Sequence, residues 1–167
     1  MSANQLHVNA AELLREPGLR RHVSAAVPPS TIGAEHDAIA GDIDAELDIV
    51  STLDDLSVTG AISVPWHGSC RRCLAPITER LVVDVDERYA EQPAELDDAF
   101  PIVNGQLDVT QMVREHVLLA VADLRLCRPD CPGLCPDCGA DLNAVPCDCD
   151  RVVIDDRWST LDQLRHP

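Results

Sequence analysis

The sequence contains no lysine, so all 13 of its basic residues are arginines. The absence of lysine excludes a Schiff-base enzyme, a P-loop with its phosphate-binding lysine, and a serine–lysine catalytic pair. Aromatic residues are nearly as scarce, because Trp66, Tyr89, Phe100 and Trp158 are the only four in 167 residues. An RNA-binding sheet that stacks several bases on aromatic rings is therefore not expected.

Long apolar runs are also missing. No stretch approaches the roughly 18 consecutive apolar residues that a membrane-spanning helix requires. The first 15 residues have no basic head followed by an apolar run, so we expect no secretory signal and no membrane association. The sequence therefore favours a cytoplasmic protein, whose cysteines stay as thiols or bind metal.

Positive charge is in short supply, since 29 acidic residues against 13 basic ones give a formal net charge of −16. This charge repels phosphate backbones, whereas it attracts a basic protein partner and favours solubility. The apolar fraction of 46% suffices for one core, which must be aliphatic because aromatic residues are so few. The length corresponds to about one domain.

Periodic apolar residues predict an α+β fold. Alternation over 47–49, 56–66 and 77–89 indicates three antiparallel strands with one buried face, and Gly60 is a candidate β-bulge. After Asp108, the expected N-cap, an apolar stripe predicts one long amphipathic helix packed on the sheet. His116 lies on this stripe, where a packed edge residue is favoured over a metal ligand. The pattern leaves open whether the sheet closes into a barrel.

The chain divides into three predicted parts. Residues 1–43 are interpreted as an N-terminal helix and linker, in which Asn9 caps a short helix and residues 26–41 have no regular period. Residues 44–126 form the β-meander and helix core. Residues 127–167 form a cysteine-rich, zinc-binding C-terminal segment that ends in a short helix carrying Trp158.

Eight cysteines give the strongest chemical signal. Two pairs, Cys70 with Cys73 and Cys135 with Cys138, are each separated by two residues. This spacing lets two thiolates bind one ion while backbone amides point at the sulfurs. Gly139 follows the second pair and supplies the positive-φ residue that such a turn needs.

Four of the cysteines form a compact unit of 15 residues, Cys135, Cys138, Cys147 and Cys149, which predicts a closed tetrahedral zinc site. The other four could form a second zinc site that joins the sheet to the C-terminal segment: Cys70, Cys73, Cys127 and Cys131. The partition is open, because Cys131 could replace a ligand of the compact unit. Four thiolates leave no position for water on the ion, so we expect a structural role and no catalysis.

Other uses of the cysteines are less favoured. Disulfides belong to exported proteins, and Cys147 and Cys149 are too close in sequence to pair well. A redox pair at Cys70 and Cys73 is possible because Arg71 and its neighbour would lower a thiol pKa. However, such a pair usually opens a helix, and here Pro76 and a strand pattern follow. His67 could substitute as a ligand, although a solvated position is favoured.

The motifs together resemble the YceD family, the large ribosomal RNA subunit accumulation proteins. The matching stretches are CRRCL at 70–74, QLDVTQMVREHVLLAV at 106–121, LCRPDCPGLCPDCGADLN at 126–143, CDC at 147–149 and DDRWSTLDQL at 155–164. The resemblance implies a role in accumulation or processing of large-subunit (23S) ribosomal RNA, with no established enzymatic activity. Some members lack the C-terminal cysteines, so zinc is an expectation from the spacing in this chain.

Two functional hypotheses follow. The first is a non-enzymatic assembly factor that binds a basic large-subunit ribosomal protein or a pre-ribosomal particle. Four arginines flank cysteines and could contact ribosomal RNA or the partner, or could only stabilise thiolates and pair with aspartates: Arg71, Arg72, Arg125 and Arg128. The second hypothesis is a regulatory protein that senses redox state through its thiols and zinc.

Overall fold

The computed structural model describes residues 3–93, 98–122 and 125–149. The strands of this part of the chain are β1 (His7–Asn9), β2 (Arg20–Val27), β3 (Ile43–Ser51), β4 (Leu56–Ser69), β5 (Pro76–Ala90), β6 (Phe100–Pro101) and β7 (Gln106–Asp108). The helices are α1 (Ala10–Leu13), α2 (Pro29–Ile32) and α3 (Thr110–Ala122), and a 3-10 turn covers Ala3–Leu6.

The main sheet has five strands in the order β2-β3-β4-β5-β6. Its first four strands are antiparallel, and the short β6 pairs with β5 in parallel. Strands β1 and β7 form a separate antiparallel pair. The main sheet is not closed, since β2 and β6 stand at its two ends among the described strands. The α+β prediction is therefore confirmed, with an open sheet.

One face of the main sheet is buried because apolar residues alternate along its strands. Leu47 and Ile49 on β3, and Val58 and Ile62 on β4, are all completely buried. The long helix α3 covers this face, as its apolar period predicts, with a buried stripe of Met112, Val113, Val117 and Val121. The resulting core is aliphatic, as the composition requires.

The start of α3 also follows the prediction. The Asp108 carboxylate accepts a hydrogen bond of 2.9 Å from the N–H of Thr110, and so satisfies one of the unpaired amides of the first turn. His116 lies at the half-buried edge of the helix. Its Nδ1 is 3.0 Å from the carbonyl oxygen of Met112, and its Nε2 is 3.3 Å from the carboxylate of Glu87. His116 is therefore a packed edge residue.

The N-terminal part differs from the sequence interpretation. Residues 1–43 were interpreted as a helix and linker, yet Arg20–Val27 is a full strand of the main sheet and pairs with β3 along its length. Val23, Ala25 and Val27 point into the core. This alternation is weak in sequence, because alanine and a run of basic residues have low β-propensity. The strand is recognisable only from its pairing with β3.

Gly60 is not a bulge, contrary to the sequence prediction. The β3–β4 register passes through it without an extra residue, since Glu46, Leu47 and Asp48 face Ala61, Gly60 and Thr59 in turn. Gly60 instead has a φ of +147°, and a Cβ there would collide with the carbonyl oxygen of Glu46. Glycine is required because the β3 backbone comes so close.

The three-part division of the chain stays a prediction, and the helix expected around Trp158 lies outside the described residues. None of the helices within the described ranges combines the length and the apolar character needed to traverse a lipid bilayer.

Candidate metal centres

The structure gathers the eight cysteines into two groups of four thiols. The sheet cluster consists of Cys70, Cys73, Cys127 and Cys131, and the tail cluster consists of Cys135, Cys138, Cys147 and Cys149. Within each cluster, all four sulfur atoms lie within 4.8 Å of one another. Cys131 thus lies with the sheet cluster and does not replace a ligand of the compact unit.

The two clusters are built on the same backbone turn. The N–H of Cys70 donates to the carbonyl oxygen of Ala75 at 2.8 Å, and its own carbonyl accepts from Leu74 at 2.9 Å. The N–H of Cys135 donates to Ala140 at 2.8 Å, and its carbonyl accepts from Gly139 at 2.9 Å. Each cysteine pair with a two-residue gap therefore closes an equivalent loop.

The residue after each of these pairs adopts the left-handed backbone conformation. Gly139 has a φ of +72°, which confirms the conformation predicted for it. The equivalent residue in the sheet cluster is Leu74, with a φ of +62°. A left-handed conformation costs a residue with a Cβ about 1–2 kcal/mol, so the first turn is strained where the second is not.

Backbone amides point at the first sulfur of each turn. The N–H of Arg72 lies 3.4 Å from the Sγ of Cys70. Burial opposes ionisation of Cys70, but N–H groups of Cys127, Cys73 and Arg72 outweigh it and lower the pKa of this thiol to about 6.

The tail cluster repeats this electrostatic arrangement. Backbone N–H groups of Cys138 and Asp137, together with the thiol of Cys147, lower the pKa of Cys135 to about 6. Both turns thus stabilise a thiolate at their first cysteine before any ion is considered.

Another thiol of each cluster has its pKa shifted in the opposite direction. Neighbouring Cys131, with burial, raises the pKa of Cys127 to about 12, and neighbouring Cys138 and Cys135 raise the pKa of Cys149 to about 12. Several thiolates cannot share so small a space without a cation between them. The donor set therefore fits a thiophilic divalent ion that all four sulfurs coordinate.

Sulfur–sulfur distances give a direct test of this fit. In the sheet cluster, the Sγ atoms of Cys70 and Cys131 are 3.8 Å apart, and those of Cys73 and Cys127 are 3.6 Å apart. A tetrahedron with metal–sulfur bonds of about 2.3 Å has sulfur–sulfur edges of about 3.8 Å. The distances match coordination and are far longer than a disulfide bond of about 2.05 Å.

The sheet cluster joins the sheet to the C-terminal segment. Cys70 and Cys73 lie in the β4–β5 turn, and Cys70 and Cys131 are completely buried. A small apolar group packs around these cysteines, made of Ala75, Ile77, Leu126 and Leu134. Backbone bonds reinforce the junction, since Leu134 donates to Arg72 at 3.1 Å.

The arginines that flank the cysteines are mainly used within the protein. Arg72 donates to the carbonyl oxygen of Cys131 at 2.8 Å. Arg125 lies 5.9 Å above the Trp66 ring and 3.2 Å from the carboxylate of Glu79. Arg128 lies 3.3 Å from Asp130, and Arg71 is exposed beside the sheet cluster. These contacts of Arg72, Arg125 and Arg128 favour the structural alternative, and contact of the four arginines with ribosomal RNA or a partner stays a prediction.

Two contacts of the junction were not predicted from sequence. The Asn143 side-chain amide donates to the Sγ of Cys131 at 3.5 Å and to Asp141 at 2.7 Å. Asn143 lies in the loop between the tail-cluster cysteines, so it connects the two clusters. Gly133 has a φ of +81°, and a Cβ there would lie 2.9 Å from the carbonyl oxygen of Arg72. In the sequence, the Asp141-x-Asn143 spacing and the isolated Gly133 are the features that could have indicated these contacts.

His67, considered as a substitute ligand, is exposed on β4 and belongs to neither cluster. It therefore matches the solvated alternative.

Comparison with known proteins places this architecture in a family. The family described as "Large ribosomal RNA subunit accumulation protein YceD" matches residues 58–165. The chain belongs to the YceD family. The YceD match includes both cysteine clusters and α3, and membership implies a role in accumulation of the large ribosomal RNA subunit.

Individual YceD relatives and similar proteins come from bacteria and plants. An uncharacterized protein of Mycobacterium tuberculosis is 33% identical over 174 residues, covering 99% of this chain and 84% of the relative. An uncharacterized protein of Mycobacterium leprae is 29% identical, covering 92% and 74%. A chloroplastic YCED homolog of Arabidopsis thaliana is 35% identical over 66 residues, covering 40% and 21%. No solved structure matches.

Proposed function

We propose that this protein is a non-enzymatic ribosome biogenesis factor. It supports accumulation or processing of large-subunit (23S) ribosomal RNA by binding a basic ribosomal protein or a pre-ribosomal particle. The match of residues 58–165 to the YceD family carries this proposal. The cytoplasm is the compartment in which such a factor meets its particle.

Two structural zinc ions are part of the proposal. Cys70, Cys73, Cys127 and Cys131 would hold one ion, and Cys135, Cys138, Cys147 and Cys149 the other. Zinc bound by four thiolates supplies a cross-link between chain segments, with no open position for chemistry. Two observations support this assignment. The four sulfur atoms of each cluster lie close together, and the two sulfur–sulfur distances given above for the sheet cluster match those of a zinc tetrahedron.

The outer face of the main sheet supports a basic partner. Glu46 and Asp48 on β3 and Asp84 and Asp86 on β5 are exposed there. They stand on either side of β4, whose facing residues are small, such as Thr59. Together with the net charge of −16, this face attracts arginine- and lysine-rich segments from a distance.

Depletion and sedimentation test the proposed function. Cells lacking the protein should accumulate less mature 23S ribosomal RNA, and tagged protein should sediment with large-subunit precursors at low salt. Because the attraction is electrostatic, association should fall as salt is raised. Normal 23S levels together with free sedimentation of the tagged protein would exclude this function.

The alternative function is redox sensing through thiols and zinc. Its supporting observation is that Cys127 and Cys138 are exposed at the surface of their clusters. Titration of the zinc-loaded protein with a thiol reagent decides between the two. An assembly factor with saturated structural zinc should show slow modification, whereas rapid modification with zinc release supports a sensor.

A further inference from the structure

A cleft runs between the first two strands of the chain. It has a volume of about 400 Å³, with Gln5 and the three residues of β1 on one side and Arg21–Ser24 of β2 on the other. Successive side chains of a strand point to opposite faces, yet four consecutive residues of β2 line this cleft. The cleft therefore lies along the edge of β2 and not over one face of the sheet. Its volume is in the range that holds a short peptide segment.

The edge of β2 has unpaired main-chain groups. In an antiparallel pair, alternate residues direct their N–H and C=O groups to the neighbouring strand, and the residues between them direct these groups away. The Ser51 N–H donates to the Leu19 carbonyl oxygen at 3.0 Å, which sets this alternation between β2 and β3. The β2 residues that point away from β3 are therefore Arg20, His22, Ser24 and Ala26. Among the described strands β2 pairs only with β3, and no other main-chain bond joins these four residues to a described residue.

The opposite border of the cleft is also a strand edge. The Val109 N–H donates to the Leu6 carbonyl oxygen at 3.0 Å, so the same alternation directs Val8 toward β7 and His7 away from it. An open strand edge is a template for another strand, and proteins usually cover or shorten such edges. Because two open edges border one cleft, the cleft suits a ligand in the extended conformation.

Carboxylates surround the cleft. Each basic side chain of its lining lies 2.9–3.9 Å from at least one of them: Arg21 from Glu12, His22 from Asp48 and Glu46, and His7 from Asp108. Even with both histidines protonated, four carboxylates exceed three cations, so the rim is negative and favours a basic ligand. The Glu46 carboxylate also accepts a hydrogen bond of 2.6 Å from the Ser24 hydroxyl, which places it above β2 and close to the free edge.

We propose that this cleft binds an extended basic segment of a partner protein, which adds to β2 as a further strand. Main-chain hydrogen bonds to His22 and Ser24 hold the segment, as in other cases of strand addition. Val8 and Val23 are nearly buried and form the apolar part of the lining. Alternate side chains of the segment are therefore apolar and pack on these valines, and the basic side chains between them reach Glu46. The choice of a basic partner rests on the proposed function.

Binding is tested by NMR on the purified, zinc-loaded full chain with an acetylated, amidated octapeptide of alternating arginine and valine. The peptide should cause saturable shifts in β2 and should slow amide exchange at His22 and Ser24, whose N–H groups are otherwise open to water. Val23 and Ala25 should exchange slowly with and without peptide, because their N–H groups face β3.

Two control peptides separate main-chain pairing from charge. The same octapeptide with every backbone nitrogen methylated cannot donate to β2, and should bind about tenfold more weakly. An octapeptide of alternating glutamate and valine keeps the donors but has the wrong charge, and should also bind more weakly.

Three variants locate the site. Ser24→Pro removes an N–H of the free edge but no bond to β3, and should weaken binding about tenfold. Ser24→Ala keeps the N–H and should bind like the wild type. Val82→Pro makes the matched change on β5, where the bond from the Cys70 N–H to the Ala75 carbonyl oxygen sets an alternation that directs Val82 away from β4. It should leave binding unchanged.

Failure of the arginine–valine peptide to bind, equal binding of either control peptide or by Ser24→Pro, or protection along β5 in place of β2 would each overturn strand addition at this cleft. If Ser24→Pro does not fold, the methylated peptide still decides. Sedimentation separates this inference from the proposed function. If the peptide does not bind but the full chain sediments with large-subunit precursors, only strand addition fails. If the peptide binds but the chain never sediments with the particles, strand addition stands and the proposed function fails.

Discussion

Leu74 lies in a turn whose backbone requires a positive φ. It occupies the position that glycine fills in the tail cluster, and its side chain is 65% exposed. The side chain therefore contributes little to packing, whereas its Cβ makes the positive φ unfavourable. The chain accepts this cost because the loop of the sheet cluster needs that conformation.

Substitutions at Leu74 and Gly139 test whether a positive φ strains the backbone at a residue that has a Cβ. Leu74→Gly should stabilise the zinc-loaded protein by about 1 kcal/mol, and Gly139→Ala should destabilise it by about 1 kcal/mol. A Cβ at Gly139 would meet no atom within 4 Å, so its cost is conformational alone. Both effects are measured by chemical denaturation.

Leu74→Ala is the matched control for this pair, because it removes the side chain but keeps the Cβ. It should give no gain in stability. A gain equal to that of Leu74→Gly would show that the leucine side chain, and not the backbone, is responsible.

His22 is a residue whose effect on stability depends on pH. Its Nδ1 is 2.9 Å from Asp48 and its Nε2 is 3.1 Å from Glu46. The hydrogen bond to Asp48, with that to Glu46, raises the pKa of His22 above 6.5. A raised pKa means that the stabilisation is fully present below the unfolded pKa and is lost as pH rises through the folded pKa.

His22→Gln should therefore lower the denaturation midpoint at about pH 5.5 and have little effect at about pH 9. The pKa itself is read from the His22 ring protons by NMR. A variant that is equally destabilised at both values of pH would show that packing, and not the charged pair, accounts for the effect.

At the scale of elements, the sequence predicts what local period determines. Strand β5 and helix α3 were predicted because their apolar residues repeat over many positions. Strand β2 was missed because its apolar side is partly alanine and its pairing with β3 is a tertiary contact. The stacking of Phe100 on Tyr89 could not be predicted, since the two residues meet through the parallel pairing of β5 and β6.

Metal content tests how the cysteines are divided between the sheet cluster and the tail cluster. The wild-type chain should contain two zinc ions by elemental mass spectrometry. Cys73→Ser with Cys131→Ser should remove the ion of the sheet cluster, and Cys138→Ser with Cys147→Ser should remove that of the tail cluster. Each double variant should therefore retain one ion.

The same double variants could also contradict the assignment of two separate zinc sites. A single ion in the wild type that is lost in both double variants would mean that the clusters share one site.

Because Asn143 donates to Cys131 across the junction, Asn143→Ala should weaken zinc retention at the sheet cluster in a chelator competition and leave both ions bound without chelator.

At the scale of the molecule, the core and the cysteine clusters are stabilised in different ways. The large core contains no cysteine, whereas Cys70, Cys73 and Cys131 form a separate buried group with their own apolar neighbours. The segment 127–149 has few apolar residues and only isolated bridges, such as that of Leu134 with Asp141. If the two clusters bind zinc as proposed, we expect the order of this segment to depend on the ions, since metal binding to such segments is also their folding energy.

Removal of zinc should consequently unfold part of the chain only. After treatment with a strong chelator, amide exchange should become fast over 127–149 and stay slow in β4 and β5, whose core does not need the ions. Re-addition of zinc should restore the protection. Loss of protection in β4 and β5 as well would show that the β4–β5 turn transmits the loss of the sheet cluster into the core. In that case the metal would hold the whole fold and not only its C-terminal segment.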